Sequence, residues 1–176
     1  MTLTLMLKRT AIFITIVLAW ALIVAMARAD MPAREIVAFS GFAPGTIVVK
    51  TGERRLYYVI DRQRALRFPV GVGRSGRTWT GIARVEGKYV QPAWVPPDEI
   101  RREHPGLPSV IAGGAANNPM GAAALTLRGG EYAIHGTNRP ASIGGFVSYG
   151  CIRMYNSDII ELYRLVNIGT PVIVER

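Results

Sequence analysis

Residues 46–86 read TIVVKTGERRLYYVIDRQRALRFPVGVGRSGRTWTGIARVE, and this stretch decides the fold class. β-branched and aromatic residues gather at 46–50, 56–60, 66–70 and 82–85, parted by Thr51-Gly52, by Asp61-Arg62 and by a glycine-rich run after Val70. Strands this closely spaced pair as antiparallel hairpins. Further on, strand character returns at 123–127 and 131–135, with Arg128-Gly129-Gly130 as the turn between them. The intervening residues 87–122 hold Pro92, Pro96, Pro97, Pro105, Pro108 and Pro119 together with Gly106, Gly113, Gly114 and Gly121. They read as a long ordered Pro/Gly-rich loop or lid of the kind that frames a site, with only 97–104 suited to a short helix. Near the end, Asn156 or Ser157 suits a helix cap, and Ile159, Leu162, Tyr163 and Val166 recur at helical spacing until Gly169. Residues 171–174 close the chain as a strand. The expectation is one mainly β domain with a single C-terminal helix.

Composition bounds the rest. At 176 residues, 49% hydrophobic and 19% charged, the chain is long enough for one globular core and too apolar for disorder. One Cys and two His cannot supply a four-ligand zinc cage or an internal disulfide, so metal and disulfide frameworks are not expected. Residues 1–29 read as a secretory signal: basic Lys8 and Arg9, an apolar run over 11–25, and an A-x-A site at Ala27-Arg28-Ala29. Cleavage would leave Asp30 at the N-terminus, with 30–45 as a lead-in and 46–176 as the folded domain. The uncharged stretch from Thr10 to Ala27 also approaches the length of an uncleaved membrane anchor. Removing Lys8, Arg9 and Arg28 from 21 bases, and no acid from 12, lowers the net charge from +9 to +6. A basic exported protein meets anionic headgroups and the carboxylate-rich wall polymer, not nucleic acid, and the periplasm or cell wall is the expected location.

Gly71-Val-Gly-Arg-Ser-Gly76 spells G-x-G-x-x-G but leads into another β run instead of a helix, so the dinucleotide reading is declined. Cys151 is the only thiol. Gly150 directly before it permits a tight turn, from which backbone N–H groups at 150 and 151 can hold an oxyanion beside the sulfur. A thiol nucleophile needs a base. His104, between Glu103 and Pro105, reads as a surface or lid residue; His135 ends the apolar run Tyr132-Ala-Ile-His at a sheet edge and is the better partner. Coupling of His135 to Cys151 implies an apparent thiol pKa below that of a free cysteine.

His135-Gly-Thr137, Ile143-Gly144, Ser148-x-Gly-Cys-Ile-Arg-Met154, Asn118-Pro-Met-Gly121 and Gly169-Thr-Pro-Val172 together resemble the L,D-transpeptidase catalytic domain (the YkuD or ErfK/YbiS/YcfS/YnhG family) from about Thr46 to the C-terminus. The resemblance implies a β-sandwich-like domain. It also implies that Cys151 attacks a peptidoglycan stem peptide at the carbonyl of its third residue, a diamino acid, and expels the terminal D-Ala before the acyl group passes to an amine. By the same carry-over His135 is the base. Ser148, Gly150 and Arg153 take supporting positions, with Tyr149, Gly136 and Thr137 beside them. Arg153 suits either a substrate carboxylate or a structural salt bridge. The acceptor is a second stem peptide or a wall-anchored protein; with water instead, the enzyme is a carboxypeptidase or hydrolase. A wall-binding module without catalysis is the reading from another class. The family often has His where Tyr149 stands, and T-P-x-G where this chain has Thr78-Trp79-Thr80-Gly81.

Overall fold

The structure, a computed structural model, describes residues 34–129 and 132–176. The signal read over 1–29 lies outside the described residues, as do Gly130 of the expected turn and Glu131 at the start of the expected strand.

Among the described residues eleven strands form: β1 (Glu35–Ala38), β2 (Ile47–Lys50), β3 (Arg55–Val59), β4 (Arg64–Pro69), β5 (Val72–Gly73), β6 (Gly81–Val90), β7 (Ala123–Leu127), β8 (Ala133–His135), β9 (Phe146–Ser148), β10 (Ile152–Arg153) and β11 (Pro171–Glu175). Helix α1 spans Asp98–Glu103 and α2 spans Asn156–Leu165. Nine strands join in the order β1-β4-β3-β2-β11-β6-β7-β8-β10, while β5 and β9 pair separately. The hairpins β2-β3 and β3-β4 are antiparallel, but β11 inserts between β2 and β6 and runs parallel to β2.

Ten-residue β6 joins the two halves of the sheet, pairing with β11 through Gly81–Arg84 and with β7 through Val85–Val90. The register slips between Val85 and Gly87, a β-bulge at which a Cβ on residue 87 would sit 2.6 Å from the Tyr89 ring. This glycine is why the sequence reading ends the strand at 85 and starts the loop at 87. With the bend in place, Ile47, Val49, Leu56 and Phe68 of one half meet Leu125, Leu127, Ile134 and Ile152 of the other in one core, a sandwich-like arrangement. Ile159, Leu162 and Val166, the apolar stripe of α2, join that core. The opposite face of β2 and β3 is covered as well: Val48, Tyr57 and Val59 pack under Phe39 and Phe42. That cover comes from Val37, Phe39 and Phe42, in the segment expected only as a lead-in, whose residues 35–38 form edge strand β1 antiparallel to β4.

Candidate active site

Strands β8 and β10 are neighbours and parallel, with Ile152 opposite Ile134 and Arg153 opposite His135. Side chains alternate along a strand, and Ile134 and Ile152 point into the core. His135 and Arg153 therefore face the other way, and Cys151, one residue before β10, shares their side. Between the sheet and the lid lies a cavity of about 520 Å³ lined by Cys151, His135, Arg153, Ser148, Tyr149 and Tyr132, among others.

The 148–151 turn is pinned by its own atoms. Ser148 Oγ donates to the Cys151 carbonyl at 2.6 Å and accepts from Gly150 N–H at 3.1 Å. Gly150 has φ 128°, and a Cβ there would lie 2.2 Å from Cε1 of the Tyr132 ring, so only glycine fits. Tyr132 in turn stacks on Trp79, with ring centroids 5.1 Å apart, and Trp79 Nε1–H donates to the Gly150 carbonyl at 3.0 Å. These bonds correct one expectation: Gly150 N–H is already engaged. Cys151 N–H remains as a turn donor without an internal acceptor among the described residues.

His135 is buried, and its Nδ1 lies 2.6 Å from the Gly136 carbonyl. A carbonyl only accepts, so Nδ1 carries the proton and Nε2 is the basic nitrogen. Burial, followed by the positive charge of Arg153, pushes His135 down to about 4, against the pull of the Gly136 and Pro119 carbonyls. The imidazole is neutral at neutral pH. Burial also pushes the Cys151 thiol up, with a hydrogen bond from the Ala133 backbone and the Arg153 charge opposing it. This is the reverse of the direction expected from sequence. The resting pair is a thiol beside a neutral imidazole, not a preformed ion pair.

The other sequence-read residues fall around this pair. Gly136 N–H donates to Ala123 O at 3.0 Å; Thr137 is buried, and its Oγ1 accepts from Arg139 N–H at 3.0 Å. Arg153 forms no ion pair among the described residues, and its buried Nε has no partner, which leaves the salt-bridge alternative without support. His104 follows α1 and lines a second cavity beside the first.

Sequence reasoning missed the lid's fastenings. Glu99 and Glu103, four residues apart on one face of α1, take Arg77 and Arg74 of the glycine-rich turn. Tyr149 donates to Glu103, and the Arg74 guanidinium lies 4.1 Å from the Tyr149 ring centre. So the residue that replaces the frequent His reaches from the Cys151 turn to the lid. Tyr149→Phe leaves Arg74 holding Glu103 at 3.0 Å and keeps the ring under Arg74, so kcat/KM is expected to stay within about tenfold of wild type. A fall beyond a hundredfold in steady-state assays would show that the hydroxyl does more than fasten the lid. Asn118 anchors the loop behind the lid, its Nδ2 donating to the carbonyls of Pro92 at 2.9 Å and Ala112 at 2.8 Å. Asn156, read as a cap, makes no cap bond; its Oδ1 accepts from Ala122 and Thr137 N–H, both at 3.0 Å. The E-x-x-x-E and R-x-x-R spacings of the lid and the turn were the available signal.

Asp158 of α2 is buried with Oδ2 unpartnered, and burial raises it to about 6. An unfolded Asp ionises near 4, so the folded state binds more protons between about pH 4 and 6, and this carboxyl costs stability as pH rises through that window. His135, lowered to about 4, acts oppositely in the same window, since the unfolded imidazole charges first as pH falls. Urea unfolding of Asp158→Asn is therefore expected to show a gain on the order of 1–2 kcal/mol at pH 7 that fades by pH 4. A gain independent of pH would contradict this.

Residues 44–174 match the model of the YkuD family, described as the L,D-transpeptidase catalytic domain. The chain belongs to this family. YkuD of Bacillus subtilis, named an L,D-transpeptidase, is 57% identical over 134 residues, covering 76% of this chain and 67% of that protein. ErfK/SrfK of Escherichia coli, named likewise, is 42% identical over 135 residues, covering 72% of this chain and 42% of its own length. This chain thus spans less than half of that relative. The crystal structure of L,D-transpeptidase 3 from Mycobacterium tuberculosis superposes with a TM-score of 0.58 at 18% identity, over 74% of this chain and 60% of that one, and supports the fold. Both Cys151, on the turn before β10, and His135, at the end of β8, lie inside the matched range.

Proposed function

We propose that this chain is a peptidoglycan L,D-transpeptidase in which Cys151 is the nucleophile and His135 the general base. The observation that carries the reading is the parallel register of β8 and β10, which sets His135, Arg153 and the thiol of Cys151 on one wall of one cavity. As Sγ attacks the carbonyl carbon of the stem peptide's third residue, Nε2 of His135 takes the thiol proton. The carbonyl oxygen gains the negative charge and is met by Cys151 N–H. Collapse of the tetrahedral intermediate breaks the peptide bond; the leaving D-Ala amine takes the proton from Nε2, and a thioester remains on Cys151. An acceptor amine then attacks the thioester carbonyl and gives a proton to Nε2, which returns it to the departing sulfur. The acceptor is the side-chain amine of a second stem peptide or an amine of a wall-anchored protein. The chemistry needs neither metal nor nucleotide.

In this reading residues 46–176 are the catalytic domain, and residues 1–29 export the chain to the periplasm or wall, where its substrate is. Any membrane attachment would come through an uncleaved signal. Neutral imidazole and buried thiol suit a base that works during attack, with the proton moved only when substrate displaces water. Incubating purified protein with a tetrapeptide muropeptide and weighing the products is the test. Cross-linked dimer with free D-Ala is expected; tripeptide with free D-Ala and no dimer means that water is the acceptor, and unchanged substrate contradicts the reading.

A further inference from the structure

A second cavity of about 550 Å³ adjoins the first, and Trp94, Ile100, Pro119, Tyr149 and Arg153 line both. Its charged and amide lining is one-sided: Arg139, Arg153, His104, Asn117 and Asn138 supply donors, and Glu103 is the one acid among its lining residues. Glu103 is already committed to Arg74 and Tyr149. Arg139 and Arg153 have no carboxylate partner among the described residues, and the Nε of Arg153 is buried without an acceptor. A guanidinium removed from water without a counter-charge is costly, and a planar carboxylate is the group whose geometry matches its fork. The Arg139 charge also reaches Arg153, so two like charges share the space that one anion would neutralise.

We infer that Arg139 and Arg153 form a carboxylate-binding subsite in the second cavity, which engages a free carboxylate of the peptide whose acyl group reaches Cys151. The inference rests on the transpeptidase reading for its ligand. Arg153 stands at the junction: it is opposite His135 in the strand register and lines both spaces. A peptide lying across the thiol therefore passes Arg153 on its way to Arg139. Two groups of the tetrapeptide carry the required chemistry, the C-terminal carboxylate of the leaving D-Ala and the side-chain carboxylate of the diamino acid. Arg139 is exposed and outside the core, so changing it leaves the fold and the thiol cavity in place.

The test is calorimetric binding of three tetrapeptides to Cys151→Ala protein: one unmodified, one amidated at the C-terminus, one amidated at the diamino-acid side chain. Amidation of the engaged carboxylate is expected to weaken Kd about tenfold, the scale of one charge-assisted hydrogen bond, and which peptide suffers names the source. In the Arg139→Gln, Cys151→Ala protein the acid and amide forms are expected to bind alike. Equal Kd for all three peptides with Arg139 present, a penalty that survives Arg139→Gln, or no binding at all overturns the subsite. Turnover by the wild-type enzyme is read separately: carboxylate-dependent binding without turnover sinks the transpeptidase reading alone, and turnover with carboxylate-independent binding sinks the subsite alone.

Discussion

Cys151→Ala is expected to abolish turnover, by roughly 10⁴-fold or more, while leaving the domain folded. The side chain is outside the hydrophobic core, and the bonds that hold its turn use main-chain atoms of residue 151: Ser148 Oγ donates to its carbonyl at 2.6 Å. Alanine keeps that bond and fits the space of a thiol. Unfolding free energies of the two proteins in urea should agree within about 1 kcal/mol, as for a small change outside the core. A folded Cys151→Ala protein that still releases D-Ala from a tetrapeptide would end the cysteine mechanism.

His135→Asn is expected to lower the rate of acylation by 10²- to 10⁴-fold, the usual range for a lost general base. Asn keeps a side-chain amide that can donate toward the Gly136 carbonyl, the bond now made by Nδ1 at 2.6 Å, so the loss is directed at Nε2. The pH profile separates this role from a structural one. A base works only unprotonated, so the wild-type rate should fall as pH drops through about 4, where His135 gains its proton, and should stay level from about pH 5.5 to 8. A free thiolate nucleophile would instead show no plateau, its rate still climbing from pH 5.5 to 8 because burial holds the thiol up. His104→Ala should slow acylation far less than His135→Asn, since His104 does not line the cavity that holds the thiol.

Much of the fold was legible because β2 and β3 are short runs rich in β-branched and aromatic residues, and β4 and β7 are short runs with apolar residues, all bounded by turn residues; the core stripe of α2 recurs at 3.6 residues. Pairings distant in sequence were not. Nothing local to residues 171–175 says that β11 lies parallel to β2, more than 120 positions earlier, or that β6 continues past Gly87 through a bulge. Strands of two or three residues, β5, β9 and β10, are too short to show a period. For the site, Cys151 and His135 could be singled out by residue type and by the glycines beside them. That they share a wall follows from the β8-β10 register, and the direction of their pKa shifts follows from burial under the lid, which sequence does not show. The lid's ion pairs, Arg77 with Glu99 and Arg74 with Glu103, join segments more than 20 residues apart and look in sequence like ordinary solvated charges.

The most direct measurement is the intact mass of the protein after mixing with a tetrapeptide donor in the absence of any acceptor amine. The account predicts a mass gain equal to the tripeptide acyl group, located on Cys151 by peptide mapping, formed at least a hundredfold more slowly in His135→Asn and absent in Cys151→Ala. D-Ala release with no adduct on Cys151, or an adduct on another residue that persists in Cys151→Ala, would contradict it.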